Sequence, residues 1–379
     1  MIDLLRSALP TERDPKLLAA VERSWIVDQV KAGLKEARRA PAYATTNLSR
    51  WFRANRSLGS RDRPVVGALV HGVIRHEAIL LRAGARRPEE LIVGVAELFS
   101  GERLATLTAV SPAEDFATAL NVPGPVATAW LDALGPEEAA AFAASVNARP
   151  PRDIRVNQVR IGREALQEAL AAEGVETVIR PLASTLLEVV GRANLTQTTA
   201  FKSGLFEVQD RSSQAFCEAL VVEPGMRVLD LCAGAGGKSL ALAARGAAVT
   251  ATDIRSKALD ELEKRAARAG AKIAIEEPTP APLVVVDAPC SGSGRLRRNP
   301  ALRWGLSAGA HLSVQQSLIE DAAALVEPGG TLVYATCSLL DAENAHPCPD
   351  GFERTNERTL WPHRDKSDGF YWRVMARRD

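Results

Sequence analysis

The stretch MRVLDLCAGAGGKSLALAARGAAVTATD, residues 226–253, decides the class of fold. An apolar run is followed by a glycine-rich turn, an alanine-rich segment and a second apolar run that ends at Asp253. This order predicts a strand, a loop, a helix and another strand. The apolar runs PLVVVDAP and GTLVYATC come later, and helical patterns separate them. Near-continuous Val, Leu and Ile strands that alternate with helices indicate a doubly wound, mostly parallel sheet.

The glycine-rich turn is a candidate ligand site. Glycine lets the backbone approach a ligand closely, and the N-terminus of the following helix offers amide donors. Asp253 ends the next strand, where a carboxylate can accept hydrogen bonds from ribose hydroxyls. The spacing of Gly234, Gly236 and Gly237 differs from the glycine patterns of dinucleotide-binding and phosphate-binding loops. The turn therefore predicts a nucleoside-cofactor pocket and weakens a nicotinamide-dependent oxidoreductase or an ATP-binding protein as alternatives.

Two cysteines stand at matching positions in DAPCSGSG, residues 287–294, and VYATCS, residues 333–338. Each follows an apolar run, and ligands of doubly wound sheets bind at the carboxyl ends of the strands. We therefore expect Cys290 and Cys337 at the same edge as the glycine-rich turn. The alternative is a pair of buried structural thiols, which is the interpretation given to Cys217 and Cys348.

Composition limits the class of protein. The chain has 379 residues, of which 46% are hydrophobic and 25% charged, so we expect two or three domains of a soluble protein. Five scattered cysteines fit a reducing cytosol, and the five histidines lack the spacing of metal ligands. No apolar run reaches the about 18–20 residues of a membrane span. We expect a cytoplasmic protein without metal, membrane association or an obligate protein partner.

The first part of the chain has helical periodicity, and residues 35–63 hold eight Lys or Arg residues against two acids. This basic run predicts either a phosphate-facing surface or a solvated helix face. The segment RDIRVNQVRI is typical of a strand and REALQEALAAEG of a helix. A small α+β module is therefore expected over about residues 145–205.

Several motifs, in the same order along the chain, resemble the RsmB–Sun family of S-adenosylmethionine-dependent RNA cytosine-5 methyltransferases. DLCAGAGGK (230–238) is similar to its first motif, DAPCSGSG to its fourth and YATCS to its sixth. FEVQDRSSQ (206–214) resembles the entry to the catalytic domain, LRW follows the fourth motif, and DGFYWRVMARR resembles the closing strand. RPPRDIRVNQVR is similar to an RNA-binding module, and RSLGSRDRPVVGALVHGVIRH (56–76) to a NusB-like helical domain.

The resemblance implies three domains: an all-α NusB-like RNA-binding domain over residues 1–125, a small α+β RNA-binding module over 126–205, and a Rossmann-like class I methyltransferase domain over 206–379. The cofactor would be S-adenosylmethionine and the partner RNA. The NusB-like segment favours 16S ribosomal RNA as the substrate. A transfer-RNA cytosine-5 methyltransferase and a noncatalytic RNA-binding or ribosome-assembly factor are the alternatives.

The chemistry of cytosine explains a pair of thiols. C5 of cytosine is a poor nucleophile, and a thiolate that adds to C6 makes it reactive toward a methyl donor. In the family that the chain resembles, the sixth-motif cysteine attacks and the fourth-motif cysteine assists release, which implies these roles for Cys337 and Cys290. DNA cytosine methyltransferases use the fourth-motif cysteine to attack, so the reverse assignment is the alternative. Asp287 would hydrogen-bond the cytosine edge.

The resemblance also implies the other site residues. Lys238 would favour anionic species near the thiols. Four arginines after the fourth motif would contact RNA phosphates: Arg295, Arg297, Arg298 and Arg303. The residues implied for cofactor binding are Cys232, Ala233, Gly234, Ala235, Gly236, Gly237, Lys238, Asp253, Asp287 and Glu277.

The chain departs from the family pattern at three places. Ala235 stands where the family usually has proline. The segment AKIAIEEPTPAPLVVVDAP is short and lacks a clear counterpart of the third-motif aspartate, so Glu277 or Glu276 is expected to contact the adenine side of the cofactor. The stretch between TCSLLDAENA and FERTNERTL is also short.

Overall fold

The computed structural model describes residues 5, 8–10, 13–100, 111–307 and 309–378. The chain divides into two compact units. The first, the helical unit, comprises Met1–Pro150 and Ser291–Ala308, and the second, the sheet unit, comprises Pro151–Cys290 and Gly309–Asp379. The boundary expected after residue 125 falls inside a helix, Gly124–Asn147, which belongs to the helical unit.

The helical unit contains seven helices in its described residues. They are α1 (Lys16–Val21), α2 (Ser24–Arg39), α3 (Ala44–Ala54), α4 (Asp62–Arg82), α5 (Pro88–Ser100), α6 (Pro112–Leu120) and α7 (Gly124–Asn147). Three short 3₁₀ helices accompany them: Pro41–Tyr43, Ser293–Arg295 and Pro300–Gly305. The all-α prediction for this part is confirmed, whereas the NusB-like assignment stays a prediction.

The bounds of α6 follow from its sequence. The Ser111 hydroxyl caps the helix by accepting a hydrogen bond from the Glu114 main-chain N–H at 3.3 Å, and Pro112 occupies the first helical position. Asn121 ends the helix in the left-handed conformation, with φ 55°. Helix α6 packs on α7, where Phe116 lies 6.5 Å from Phe142 between ring centroids.

Helix α4 is long and apolar enough, by length and composition alone, to cross a membrane. His71, Arg75 and His76 interrupt its apolar residues, which is why the sequence did not predict a span here. Leu69 and Val70 are fully buried in the core of the helical unit. Val66, Val73 and Ile79 are buried as well, so the helix contributes to this core along most of its length.

The sheet unit contains a small antiparallel sheet with the strand order β2-β3-β1-β4. Its strands are β1 (Asp153–Val156), β2 (Thr177–Ile179), β3 (Leu186–Val189) and β4 (Phe206–Val208), with helices α8 (Arg163–Ala172) and α9 (Thr199–Lys202). This confirms the predicted α+β module. The boundary expected after residue 205 directly precedes β4, which pairs with β1 and therefore belongs to the small sheet.

The large sheet has seven strands in the order β10-β11-β9-β8-β5-β6-β7. Its strands are β5 (Arg227–Asp230), β6 (Ala248–Ala251), β7 (Ile273–Ala274), β8 (Ala281–Asp287), β9 (Val326–Thr336), β10 (Phe352–Leu360) and β11 (Phe370–Arg377). The helices of this part are α10 (Arg211–Ala219), α11 (Gly237–Ala244), α12 (Ser256–Ala269), α13 (Leu312–Ala324), α14 (Asp341–Asn344) and α15 (Pro362–Asp365).

Strands β9, β8, β5, β6 and β7 run parallel, and β11 and β10 add an antiparallel edge. Alternate residues of β8 enter different cores, with Val285 in one and Val284 and Val286 in the other. Both faces of the sheet are therefore covered, which requires continuous apolar strands. The strand order reverses between β5 and β8, and such a switch point is where doubly wound sheets bind ligands. The predicted doubly wound, mostly parallel sheet is confirmed.

The packing of α4 on α5 gives a stability prediction. A Cβ atom built on Gly72 would lie 2.4 Å from Val95 Cγ1, whereas one on Gly67 would lie 3.7 Å from its nearest neighbour, Phe52. We expect Gly72→Ala to lower the free energy of unfolding by about 1–3 kcal/mol through overpacking. We expect the matched control Gly67→Ala to raise it by up to about 1 kcal/mol through helix propensity. Urea denaturation of both variants measures the difference, and equal stabilities would contradict this packing.

Candidate active site

Two adjacent parallel strands bring the two candidate cysteines together. Strand β8 ends at Asp287, three residues before Cys290, and β9 ends at Thr336, directly before Cys337. The Sγ atoms of Cys290 and Cys337 lie 3.4 Å apart, which is longer than the about 2.05 Å of a disulfide bond. The expectation that both thiols lie at one edge of the sheet agrees with this geometry.

A half-buried ion pair lies at the same edge. Lys238, in the first turn of α11, donates from Nζ to Asp287 Oδ2 at 2.5 Å. Its ammonium also lies 5.2 Å from the centroid of the Phe370 ring. Burial opposes the charge of Lys238, but the charge and hydrogen bond of Asp287 outweigh it and raise the lysine pKa. Lys238 is thus a fixed cation beside a carboxylate.

The glycine-rich turn has the conformation that its glycines allow. Gly234 and Gly236 have φ values of 54° and 78°, the left-handed region that side chains disfavour. A Cβ atom on Gly236 would also lie 2.5 Å from Leu262 Cγ. The Gly234 main-chain N–H donates to Asp253 Oδ2 at 2.8 Å, so the turn and the end of β6 are joined directly.

Asp253 is held by a neighbour that the sequence did not predict. The Arg255 main-chain N–H donates to Asp253 Oδ1 at 2.8 Å, and its guanidinium donates to both carboxylate oxygens at 2.9 and 3.0 Å. Burial opposes ionisation of Asp253, but the hydrogen bonds from Arg255 and Gly234 outweigh it and lower the aspartate pKa. The carboxylate is therefore ionised and oriented at neutral pH.

Residues of the small sheet hold the backbone of the glycine-rich turn through hydrogen bonds and ion pairs. Glu207 in β4 forms ion pairs with Arg265 at 3.0 Å and Arg268 at 2.5 Å. Arg265 in turn donates to the Ala235 carbonyl at 2.5 Å, and Gln209 donates to the Gly237 carbonyl at 3.2 Å. The motif FEVQDRSSQ supplies both Glu207 and Gln209, so it positions the turn. The sequence alone predicted no role for these two residues.

A buried polar network joins the two cysteine-bearing loops. Gln315 in α13 donates to the Pro289 carbonyl at 2.9 Å, directly before Cys290. The side-chain oxygen of Gln315 lies 2.9 Å from His346 Nε2. Because an amide oxygen can only accept a hydrogen bond, Nε2 of His346 carries the proton. Burial and then Arg373 lower the pKa of His346, which keeps the imidazole neutral at pH 7. The sequence alone predicted no role for this histidine.

The loop after Cys337 is fixed from both sides. Thr336 donates from Oγ1 to Asn344 Oδ1 at 2.7 Å, and Asn344 donates from Nδ2 to the Ser338 carbonyl at 3.1 Å. Arg373 in β11 donates to the Asn344 carbonyl at 2.9 Å. All these side chains are buried, so the backbone that carries Cys337 is held by hydrogen bonds that water cannot replace easily.

Two of the other three cysteines, Cys217 and Cys232, have a different environment. Burial raises the pKa of Cys217 to about 12 and that of Cys232 to about 12. A thiol with so high a pKa holds almost no thiolate at neutral pH and is a poor nucleophile. Cys217 packs in the core of the sheet unit, as the sequence predicted.

The acidic contact expected at the adenine side of the cofactor stays a prediction. Glu276 and Glu277 are exposed and lie in the connection between β7 and β8. Neither makes a hydrogen bond or an ion pair within the described parts of the chain. Ile254, which directly follows Asp253, is fully exposed.

Two of the four arginines expected to contact RNA are buried. Arg303 is 1% exposed and donates to the Arg75 and Val146 carbonyls at 3.1 Å, inside the helical unit. Arg297 is 6% exposed. The expectation for these two was wrong because the segment after the fourth motif folds into the helical unit and does not form a solvated loop. Arg295 is exposed and Arg298 half-buried, and for them RNA contact stays a prediction.

Metal chemistry was not expected from the sequence. Within the described residues, no group of three or more His, Cys, Asp or Glu side chains could hold a metal ion.

Comparisons with known proteins place this site in a family. Residues 217–350 match the family model described as 16S rRNA methyltransferase RsmB/F, and residues 123–195 match a ferredoxin-like domain described as RsmF/B-like. A relative from Bacillus subtilis (strain 168), "Probable ribosomal RNA small subunit methyltransferase B", is 30% identical over 341 residues. That match covers 78% of this chain and 76% of the relative.

Solved structures share the fold. The crystal structure of PH0851 has a TM-score of 0.72 at 22% identity, and the match covers 96% of this chain and 98% of that one. NSun6 from Pyrococcus horikoshii, solved with SFG, has a TM-score of 0.60 at 17% identity, and the match covers 68% of this chain and 99% of that one.

The doubly wound sheet with its glycine-rich turn, together with the matching family model, defines a Rossmann-like methyltransferase. The Bacillus relative is 30% identical and the match covers 78% of this chain, which is enough to identify the family within this class. The chain belongs to the RsmB/F family of RNA methyltransferases, which confirms the resemblance to the RsmB–Sun family.

The network around Gln315 gives a prediction for turnover. Gln315→Leu removes both hydrogen bonds and frees the backbone before Cys290, so we expect the turnover number for methyl transfer to fall by up to about 100-fold. The Michaelis constant for RNA and the affinity for S-adenosylmethionine should change little. Steady-state kinetics and calorimetry measure these quantities. Gln316→Leu, which removes only an exposed contact to Glu320, is the matched control, and equal losses in both variants would contradict a positioning role.

Proposed function

We propose that the chain transfers a methyl group from S-adenosylmethionine to C5 of a cytosine in 16S ribosomal RNA through a covalent cysteine–C6 adduct. The observation that carries the proposal is the 3.4 Å separation of the Cys290 and Cys337 sulfur atoms at the ends of adjacent strands. The names of the Bacillus relative and of the matching family model support ribosomal RNA as the substrate. A ribosomal RNA substrate implies a cytoplasmic enzyme.

The residues of the turn fit the cofactor. Gly234 and Gly236 keep their positive φ values where a side chain would be strained, and the ionised Asp253 ends the next strand. The turn from Cys232 to Lys238 and the Asp253 carboxylate would hold the amino-acid and ribose parts of S-adenosylmethionine. When bound, S-adenosylmethionine supplies an electrophilic methyl group.

Cys337 begins the reaction on the base. Its thiolate adds to C6 of cytosine, a C–S bond forms, and the electron pair of the C5–C6 double bond moves to make C5 nucleophilic. With the donor held by the turn from Cys232 to Lys238 and by Asp253, C5 would then take up the methyl group, and the electron pair of the broken bond would stay on the sulfur of the donor. A water molecule takes the C5 proton, the electron pair of the C5–H bond forms the C5–C6 double bond again, and the sulfur of Cys337 leaves as a thiolate with the electron pair of the C–S bond.

Cys290 assists the release of the base. A thiol that lies 3.4 Å from a second sulfur can donate a hydrogen bond to its thiolate. This contact stabilises the Cys337 thiolate both before attack and as the leaving group. The reverse assignment, in which Cys290 attacks, uses the same contact and is separated from this one by experiment.

Asp287 and Lys238 orient the ring. Lys238 binds Oδ2 of Asp287, so the carboxylate is fixed in place while Oδ1 can accept a hydrogen bond from the cytosine amino group. Strand β8 carries both Asp287 and, three residues later, Cys290. The base would therefore be held at one strand end while its C6 meets the sulfur from the neighbouring strand.

Two cysteine variants test the mechanism. We expect Cys337→Ala to abolish methyl transfer without changing the affinity for S-adenosylmethionine, because the nucleophile is absent. We expect Cys290→Ala to accumulate an RNA–protein adduct that resists denaturing electrophoresis. Cys348→Ala is the control and should behave as wild type. An adduct that accumulates in Cys337→Ala instead would reverse the two roles.

The substrate is tested by methylating protein-free 16S ribosomal RNA and transfer RNA, followed by mapping of 5-methylcytosine. Modification of one cytosine in the ribosomal RNA is the expected result. Modification of transfer RNA alone would identify a transfer-RNA methyltransferase, and transfer to neither RNA by a protein that binds both would favour a noncatalytic RNA-binding factor.

A further inference from the structure

One segment of the helical unit has an unusual charge. Residues 37–61 contain no Asp or Glu, although the whole chain has 46 acids against 47 Lys and Arg residues. The basic residues of this segment are Arg38, Arg39, Arg50, Arg53, Arg56 and Arg61. The positive charge of the chain is therefore concentrated locally while its net charge is only +1.

Helix α3 divides this segment into two faces. Leu48 is buried in the core of the helical unit, and Trp51 and Phe52 pack against the same core. Residues three, four and seven apart share one face of a helix. The exposed residues at that spacing are Thr46, Ser49, Arg50 and Arg53, and the exposed Arg56 follows two residues after the helix. We call these five residues the α3 arginine face.

The cations of this face differ from others in the helical unit. Lys31 pairs with Glu89 at 2.8 Å, and Arg87 pairs with Glu90 at 2.7 Å. Arg50 and Arg56 have no ion pair anywhere in the described chain. Arg53 donates only to the Ser49 carbonyl, at 3.2 Å, a contact that lays its guanidinium along the helix. The counter-charge of this face is absent from the described parts of the protein.

We propose that the α3 arginine face binds the phosphate backbone of the folded RNA substrate. The proposal rests on the proposed function in one respect, that the partner is RNA. Guanidinium groups and hydroxyls are the side chains that proteins use to donate hydrogen bonds to phosphate oxygens. Tyr43, which is 65% exposed, directly precedes α3 and offers an aromatic ring to an unstacked base.

The face contributes affinity without reading the sequence. Each arginine that neutralises a phosphate releases condensed counterions, so its contribution to binding falls as the salt concentration rises. Three arginines should contribute about 2 to 3 units to the slope of log K against log salt concentration. Because the face lies in the helical unit and carries no residue of the candidate active site, its loss should leave the chemical step intact.

The test compares two triple variants of the full chain that lose the same charge. Arg50→Gln/Arg53→Gln/Arg56→Gln removes the three arginines of the face, and Arg23→Gln/Lys31→Gln/Arg87→Gln removes three cations of the same unit that pair with Asp62, Glu89 and Glu90. Filter binding of a protein-free 16S ribosomal RNA transcript is measured between about 50 and 200 mM KCl. Over this range the wild type should lose about 20- to 40-fold more affinity than the face variant, because its slope is steeper.

The control variant should keep the slope of the wild type, since its charges are already neutralised by carboxylates. A raised Michaelis constant for RNA, with an unchanged turnover number and unchanged affinity for S-adenosylmethionine, would support the proposal. Equal slopes in the wild type and the face variant would overturn it and point to an acidic protein as the partner. Equal losses in both triple variants would also overturn it, because net charge alone would then explain them.

The two proposals can fail separately. If the face variant has a shallower slope than the wild type but the wild type methylates no RNA, the cytosine-5 function fails and the RNA-binding face stands. If methylation occurs and the slopes are equal, only the face fails.

Discussion

The site depends on the parallel hydrogen bonding of β8 with β9. Their register pairs Asp287 with Ala335, so the residues that follow each strand leave the sheet at the same level. The main-chain N–H of Ala288 continues the pairing by donating to the Ala335 carbonyl at 2.9 Å. Two chain segments that are far apart in sequence thereby deliver one sulfur atom each to a common point. A register shift of one residue would turn the following side chains to the opposite face of the sheet and separate them.

Strand pairing alone would leave these loops mobile, and buried polar groups fix them. Gln315 ties the loop before Cys290 to His346, and Thr336 and Asn344 hold the turn around Cys337. On the other side of the switch point, Glu207 acts through Arg265 on the carbonyl of Ala235. The elements that bind and react are short loops, and their supports come from helices and strands elsewhere in the same unit. Such supports hold a reactive geometry with little movement at the moment of reaction.

The sequence predicted what depends on local pattern. Continuous apolar strands and a glycine-rich turn predicted the parallel sheet, and two strand-end cysteines predicted the paired thiols. It did not predict the contacts of Gln315 or His346, because the hydrogen bonds of a buried amide depend on partners that are distant in sequence and come together only in the folded chain. Arg303 shows that the same lack of tertiary information can also make a prediction wrong. An arginine among glycines and arginines predicts a solvated loop, yet backbone carbonyls of α4 and α7 enclose its guanidinium.

Residues Ser291–Ala308 belong to the helical unit, and this affects whether the two units can be separated. The polypeptide passes between the units after Pro150, after Cys290 and again after Ala308, so neither unit is a single contiguous piece of chain. If the gene were cut at the first junction, the fragment with Ala301 and Trp304 would lack the core residues against which these two side chains pack. Modular enzymes ordinarily acquire new recognition domains by fusion or exchange of one contiguous segment. In this protein the helical unit can be exchanged only together with residues Ser291–Ala308.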